Sequence, residues 1–182
     1  MQMYGRLLLA AAVATGAFRA AGAKAPDLTQ AQQEEFLRTA QIVGERPTGE
    51  GITGTKRLTL TDGVLTHDAH LQQIDDYMPL YRAKDYIEKD FRDSYKYNIG
   101  AYRVAKMLGM RNTPTCVYRV VNDKPSSVCW WIDDVQFDEK ARRDKDLEPP
   151  DPNRWTAQLN DIRDFDQLID NVDRTQENGC TT

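Results

Sequence analysis

The chain has little of what marks metal or redox chemistry. Only three cysteines occur in 182 residues and none form a C-x-x-C pair, which leaves no zinc-type or dithiol motif. The two histidines, His67 and His70, stand three apart in "THDAH". That spacing ligates a metal on a helix but sends side chains to opposite faces of a strand, and the surroundings read as a strand. No charge of one sign dominates: 24 Lys and Arg stand against 28 Asp and Glu, a net −4 spread along the chain. This argues against general binding to nucleic acid or anionic membrane. Internal repeats and low-complexity segments are also lacking.

What is there is a soluble globular mix, 40% hydrophobic and 29% charged, long enough for one domain with a core. Residues 1–23 are set apart. Arg6 precedes an apolar run from Leu7 to Phe18, too short to span a bilayer, and Ala21-Gly22-Ala23 fits an A-x-A cleavage site. A secretory signal peptide cut after Ala23 is the expectation, with the mature chain exported to the periplasm or beyond and free of the membrane. An uncleaved anchor is the alternative.

Further along, Thr29 and Gln32 resemble a capping box that opens a helix with Phe36, Leu37 and Ala40 on one side. "QIVGERP", "KRLTLTDG" and "VLTHDAHLQQI" read as three antiparallel strands, the second ending in the Asp62-Gly63 turn. "FRDSYKYNIGAYRVAKMLGM" turns helical, with Tyr95, Ile99, Tyr102 and Leu108 in a row and Gly109 as C-cap. Two strands then flank "NDKP". A two-residue turn at Asn122-Asp123 sets Cys116 opposite Cys129, whereas a four-residue turn sets Cys116 opposite Trp131. Export makes a disulfide feasible, and two buried free thiols are equally ordinary. Residues 138–153 read as a charged, proline-bearing connector. A last helix follows, capped by Asp151 before Pro152, with Trp155, Leu159, Ile162, Phe165 and Ile169 along one side.

Two patterns carry chemistry. "GEGITG", Gly49 to Gly54, matches G-x-G-x-x-G, and the strand-like "KRLTLTDG" after it suits a nucleotide-covering hairpin rather than a dinucleotide-binding turn, which needs a helix there. An unliganded hairpin loop is the plainer reading. "NVDRTQENG" near the C-terminus holds Asp173 and Asn178, five apart. The spacing recurs at Asp93 and Asn98 and at Asp166 and Asn171, so position favours Asp173: it follows an amphipathic helix and sits beside Arg174.

Together "KRLTLTDG", "FRDSYKYNIGAYRVAKMLGM", "WWIDDV" and "RDFDQLIDNVDRTQEN" resemble bacterial proteins of the atypical protein-kinase-like group, which includes HipA-type, phosphoinositide-kinase-like and secretory-pathway kinases. The resemblance spans about Thr39 to Gly179. It implies an α+β fold: a kinase-like small lobe, five antiparallel strands with one inserted helix, over residues 24–137, a connector at 138–153, and the first helix and catalytic loop of an incomplete large lobe over 154–182. It implies ATP and magnesium as cofactors, Gly49, Gly51 and Gly54 over the phosphates, Asp173 as catalytic-loop Asp and Asn178 as a metal ligand.

Three departures stand against activity. Gln72 takes the place of the phosphate-contacting Lys on the third strand. Asn98 takes that of its Glu partner on the helix, and these two amides could hydrogen-bond each other but supply no charge. Lys56 is the candidate substitute cation. No carboxylate follows Asn178 to act as the second metal-binding Asp. The expectation is therefore an exported kinase-like fragment, inactive alone and open to self-association through the exposed face of its last helix. The alternatives are a kinase completed by a partner chain or a non-catalytic binding or scaffold domain.

Overall fold

The computed structural model describes residues 28–48, 54–82, 87–135, 137–149, 151–171 and 180–181. In chain order its elements are α1 (Gln30–Thr39), β1 (Gln41–Pro47), β2 (Lys56–Thr61), β3 (Thr66–Gln72), β4 (Asp75–Arg82), β5 (Ile87–Ser94), α2 (Tyr95–Met107), β6 (Cys116–Val121), β7 (Lys124–Trp130), β8 (Phe137–Asp138), α3 (Glu139–Asp144), α4 (Pro152–Leu168) and β9 (Cys180–Thr181). The fold is α+β. Five strands make one antiparallel sheet in the order β1-β2-β3-β7-β6, while β4 pairs with β5 and β8 with β9.

Alternation along the strands separates the two faces of the sheet. Leu58 and Leu60 of β2, Ala69 and Leu71 of β3, Val117 and Val121 of β6 and Val128 of β7 form a core with Phe36 and Leu37 of α1. Each fully buried leucine there contributes about 2 kcal/mol. The capping box of α1 forms: Thr29 accepts from the Gln32 amide, and the Gln32 side chain accepts from the Thr29 amide at 2.9 Å. At the other end, Arg119 of β6 donates to the carbonyls of Leu37 and Ala40 at 3.0 and 2.8 Å, satisfying groups a helix terminus leaves open.

The opposite face carries α2, whose Tyr102 packs on Cys116 and Cys129. These cysteines are partners across β6 and β7 and form a disulfide. The two-residue turn decided this: Val121 pairs with Lys124, and Asn122 and Asp123 both adopt positive φ, 51° and 61°, as a type I′ hairpin requires. Trp130, at the end of β7, is buried, and β7 is an inner strand between β3 and β6.

Four readings change. Phe91 to Asp93 belong to β5, not to the helix, because Ser94 caps α2 by accepting from the Lys96 amide. The β4–β5 hairpin fills a stretch in which the sequence suggested no element. Leu108 leaves the buried row: it is the C-cap and more than half exposed, with Gly109 following at φ +73°. Within the connector, residues 139–144 form α3, closed by Glu139 accepting from Arg142 and Arg143 at 2.7 Å each. The last helix stands as read, capped by Asp151 on the Arg154 amide, with Phe165 buried and Trp155, Leu159, Ile162 and Ile169 half-buried. Among the described residues no helix is long and apolar enough to cross a membrane.

Candidate functional site

The face of the sheet toward α2 gathers the chemically active side chains. Arg46 of β1 pairs with Arg57 of β2, Arg57 with His70 of β3, His70 with Cys129, and Gln72 with Ser127 of β7. Thr59 and Asp68 are partners on the same face. Its centre is Asp68. One carboxylate oxygen accepts from Arg57 Nε at 2.6 Å and Arg46 Nη2 at 3.0 Å, and the other from the Thr59 hydroxyl at 2.7 Å. Burial pushes the Asp68 carboxyl up, but the Thr59 and Arg57 hydrogen bonds and the two guanidiniums outweigh it, and it ends below the ordinary carboxylate range. The guanidinium of Arg57 also lies over the Trp131 ring, 4.0 Å from its centroid. Burial lowers His70, so its imidazole is neutral at pH 7.

The glycine-rich segment joins β1 to β2. At its base the Thr48 amide donates to the Thr55 carbonyl at 3.4 Å, and the two threonine hydroxyls lie 2.8 Å apart. Gly54 has φ +65°, a conformation that favours glycine. Gly49 and Gly51 lie outside the described residues, as do Asp173 and Asn178.

Gln72 and Asn98 do face the same region, but they do not bond to each other. Gln72 donates to Asp93 at 3.4 Å, and Asn98 donates to the Ser127 hydroxyl at 3.1 Å. Ser127, directly across from Gln72, intercepts the Asn98 amide. Lys56 lies on the other face of the sheet. It pairs with Leu71, so its side chain leaves the sheet on the α1 side, where it meets Glu45 at 2.5 Å. The arginine beside it in sequence, Arg57, occupies the face that bears Gln72. The sequence held a signal for this: alternation in "KRLTLT" sets Arg57 with Thr59, and in "THDAHLQ" sets Asp68 with Gln72.

On the α1 side, His67 lies beneath the chain that leaves β7. Its ring stacks on Trp130 at 3.8 Å, and Nε2 meets Asp133 at 2.9 Å. The two histidines thus point to opposite faces. Among the described residues no three His, Cys, Asp or Glu side chains gather as a metal-ligand set. An open groove of about 1080 Å³ separates α4 from this side of the fold, lined by Leu28, Trp130, Ile132, Trp155, Leu159 and Ile162 among others.

Comparison with protein-family models, with curated proteins and with solved structures finds no match to this chain.

Proposed function

We propose that the chain is an exported, kinase-like nucleotide-binding lobe descended from an ATP-dependent phosphotransferase, and that it does not transfer phosphate alone. One observation carries the reading. The five strands run first-second-third-fifth-fourth, a glycine-rich segment joins the first two, and α2 is inserted between the third and fourth and packs on the face that bears Gln72. That is the layout in which a glycine loop covers the phosphates of ATP while the third strand and the inserted helix supply a Lys–Glu pair. Here both members are neutral amides, each engaged elsewhere, which argues against catalysis because this pair brings no charge to the transferring phosphoryl group. Asp173 and Asn178, with magnesium, would complete such a site. The Cys116–Cys129 disulfide supports export to an oxidising compartment. The half-buried apolar row of α4 supports self-association through that helix.

Thermal unfolding with Mg-ATP tests the reading. At ten times the dissociation constant, binding adds about 1.4 kcal/mol, a rise of about 3–5 °C in Tm for a chain of this size. Asp173→Ala or Asn178→Ala should abolish the rise, and no phosphorylated product should form. An unchanged Tm at millimolar Mg-ATP would overturn it. The second reading, a non-catalytic binding domain, would then stand on the β4–β5 hairpin, which exposes Tyr77, Met78, Leu80 and Ile87.

A further inference from the structure

We propose that the cation Gln72 does not provide comes from the first two strands: Arg57 and Arg46, aligned by Asp68, receive a phosphate group of the bound nucleotide, an inference that rests on the nucleotide-binding reading above.

Arg57 is oriented in two ways. Its Nε is anchored on Asp68 at 2.6 Å, and its plane is fixed over Trp131 at 4.0 Å. Of its five N–H groups only Nε–H is engaged among the described residues. The Nη edge bonds to nothing among the described residues, and the side chain is 27% exposed, neither sequestered nor free in solvent. A guanidinium held flat with its fork open is arranged for bidentate binding of a phosphate or carboxylate. Arg46 adds a second guanidinium, tied to the same Asp68 oxygen through one Nη.

Charge points the same way. Asp68 is one anion against two cations, and its other oxygen accepts from Thr59, so the cluster keeps an excess positive charge. Position supplies the ligand class. Arg46 lies two residues before Thr48 and Arg57 two after Thr55, the residues that close the base of the glycine-rich segment. A guanidinium fork with a second guanidinium beside it recognises the terminal oxygens of a polyphosphate. Lys56, on the other face and against Glu45, is excluded from this role.

Isothermal titration of the full chain with Mg-ATP, inorganic tripolyphosphate and adenosine tests the assignment. Both phosphate ligands should bind and adenosine weakly or not at all. Arg57→Gln should weaken both phosphate ligands by about tenfold or more. Arg57→Lys, which keeps the charge and loses the fork, should fall between. Arg46→Gln should weaken both by about threefold and Lys56→Gln by less than about twofold, as expected for exposed charges at the rim and beyond it. Should Arg57→Gln not fold, Arg57→Lys and Arg46→Gln carry the same comparison. Wild-type binding of ATP that none of the arginine variants alters would overturn the assignment and leave the nucleotide-binding reading intact. A wild-type chain that binds neither ATP nor tripolyphosphate would overturn both.

Discussion

Glu34→Gln tests how α1 is docked to α2. Glu34 lies on α1 with 14% of its side chain exposed. It accepts from Lys106 at 2.5 Å and Tyr102 at 2.7 Å, both on α2, and from Arg38 one turn along its own helix at 3.0 Å. The Lys106 hydrogen bond is the largest influence. It and the Tyr102 and Arg38 bonds outweigh burial and bring the Glu34 carboxyl from the ordinary 4.5 down to about 2. Linkage turns that difference into about 3 kcal/mol of stability at pH 7, an upper figure that screening of the half-exposed Lys106 and Arg38 reduces to about 2 kcal/mol.

The folded carboxyl is the stronger acid, so the unfolded chain binds more protons as pH falls below 4.5. The contribution is therefore full above pH 4.5, about 1 kcal/mol at pH 3, and gone below pH 2. Urea unfolding of wild type and Glu34→Gln at pH 7, 4 and 3 should show a gap that narrows in that order. A gap under about 0.5 kcal/mol at pH 7 would refute the docking role. A gap equally wide at pH 3 and pH 7 would show that the loss comes from packing and not from charge.

Other expectations follow from the two hairpins and the helix cap. Reducing Cys116–Cys129, or replacing both by Ala, should cost about 2–3 kcal/mol because the bridge closes a loop 13 residues apart; calorimetry with and without reductant checks this, and an unchanged Tm would refute it. Asp123→Gly should raise Tm by a few degrees, since Asp123 sits at φ 61° in a position glycine adopts without strain; a lower Tm would refute the turn assignment. Arg119→Met should cost about 1–2 kcal/mol by leaving the Leu37 and Ala40 carbonyls at the end of α1 unpaired, and faster amide exchange at that end should accompany the loss.

Where side-chain pattern and local chemistry agree, the fold was legible in the sequence. The Thr29–Gln32 box, the alternation of β2 and β3 and the Asp151-Pro152 start of α4 each depend on neighbours a few residues away. The β4–β5 hairpin was not legible for a physical reason. Most of β4 faces solvent, Pro79 interrupts it and Asp90 takes φ 57° in the partner strand, so no buried face imposes an alternation. The turn at Asn122-Asp123 left two registers open, because only the backbone conformation of both residues distinguishes them. Candidate-site contacts fared worst. Asp68 meets Arg46 across 22 residues, and Gln72 meets Asp93 across 21. Gln72 and Asn98 both lie on the α2 side, yet each bonds elsewhere, Gln72 to Asp93 and Asn98 to Ser127.

The composition of the α2-side face depends on register. In β3 the run His67, Ala69, Leu71 faces α1 while Asp68, His70 and Gln72 face α2, so a slip by one residue would bury the acid and expose the core. In β1 the register is set by a bulge. Ile42 pairs with Leu60 and Gly44 with Thr59, leaving Val43 as the extra residue. Downstream of it Arg46 pairs with Arg57. In a regular ladder continued from Ile42, Glu45 would stand there instead, and an acid would join Asp68 where a second guanidinium now lies. Glycine fits closely beside this bulge: a Cβ at Gly44 would come within 3.3 Å of the Thr59 Cβ, so Thr59 would have to shift by a few tenths of an ångström to admit one. One inserted residue in an edge strand therefore decides whether the sheet offers this face an excess of positive or of negative charge.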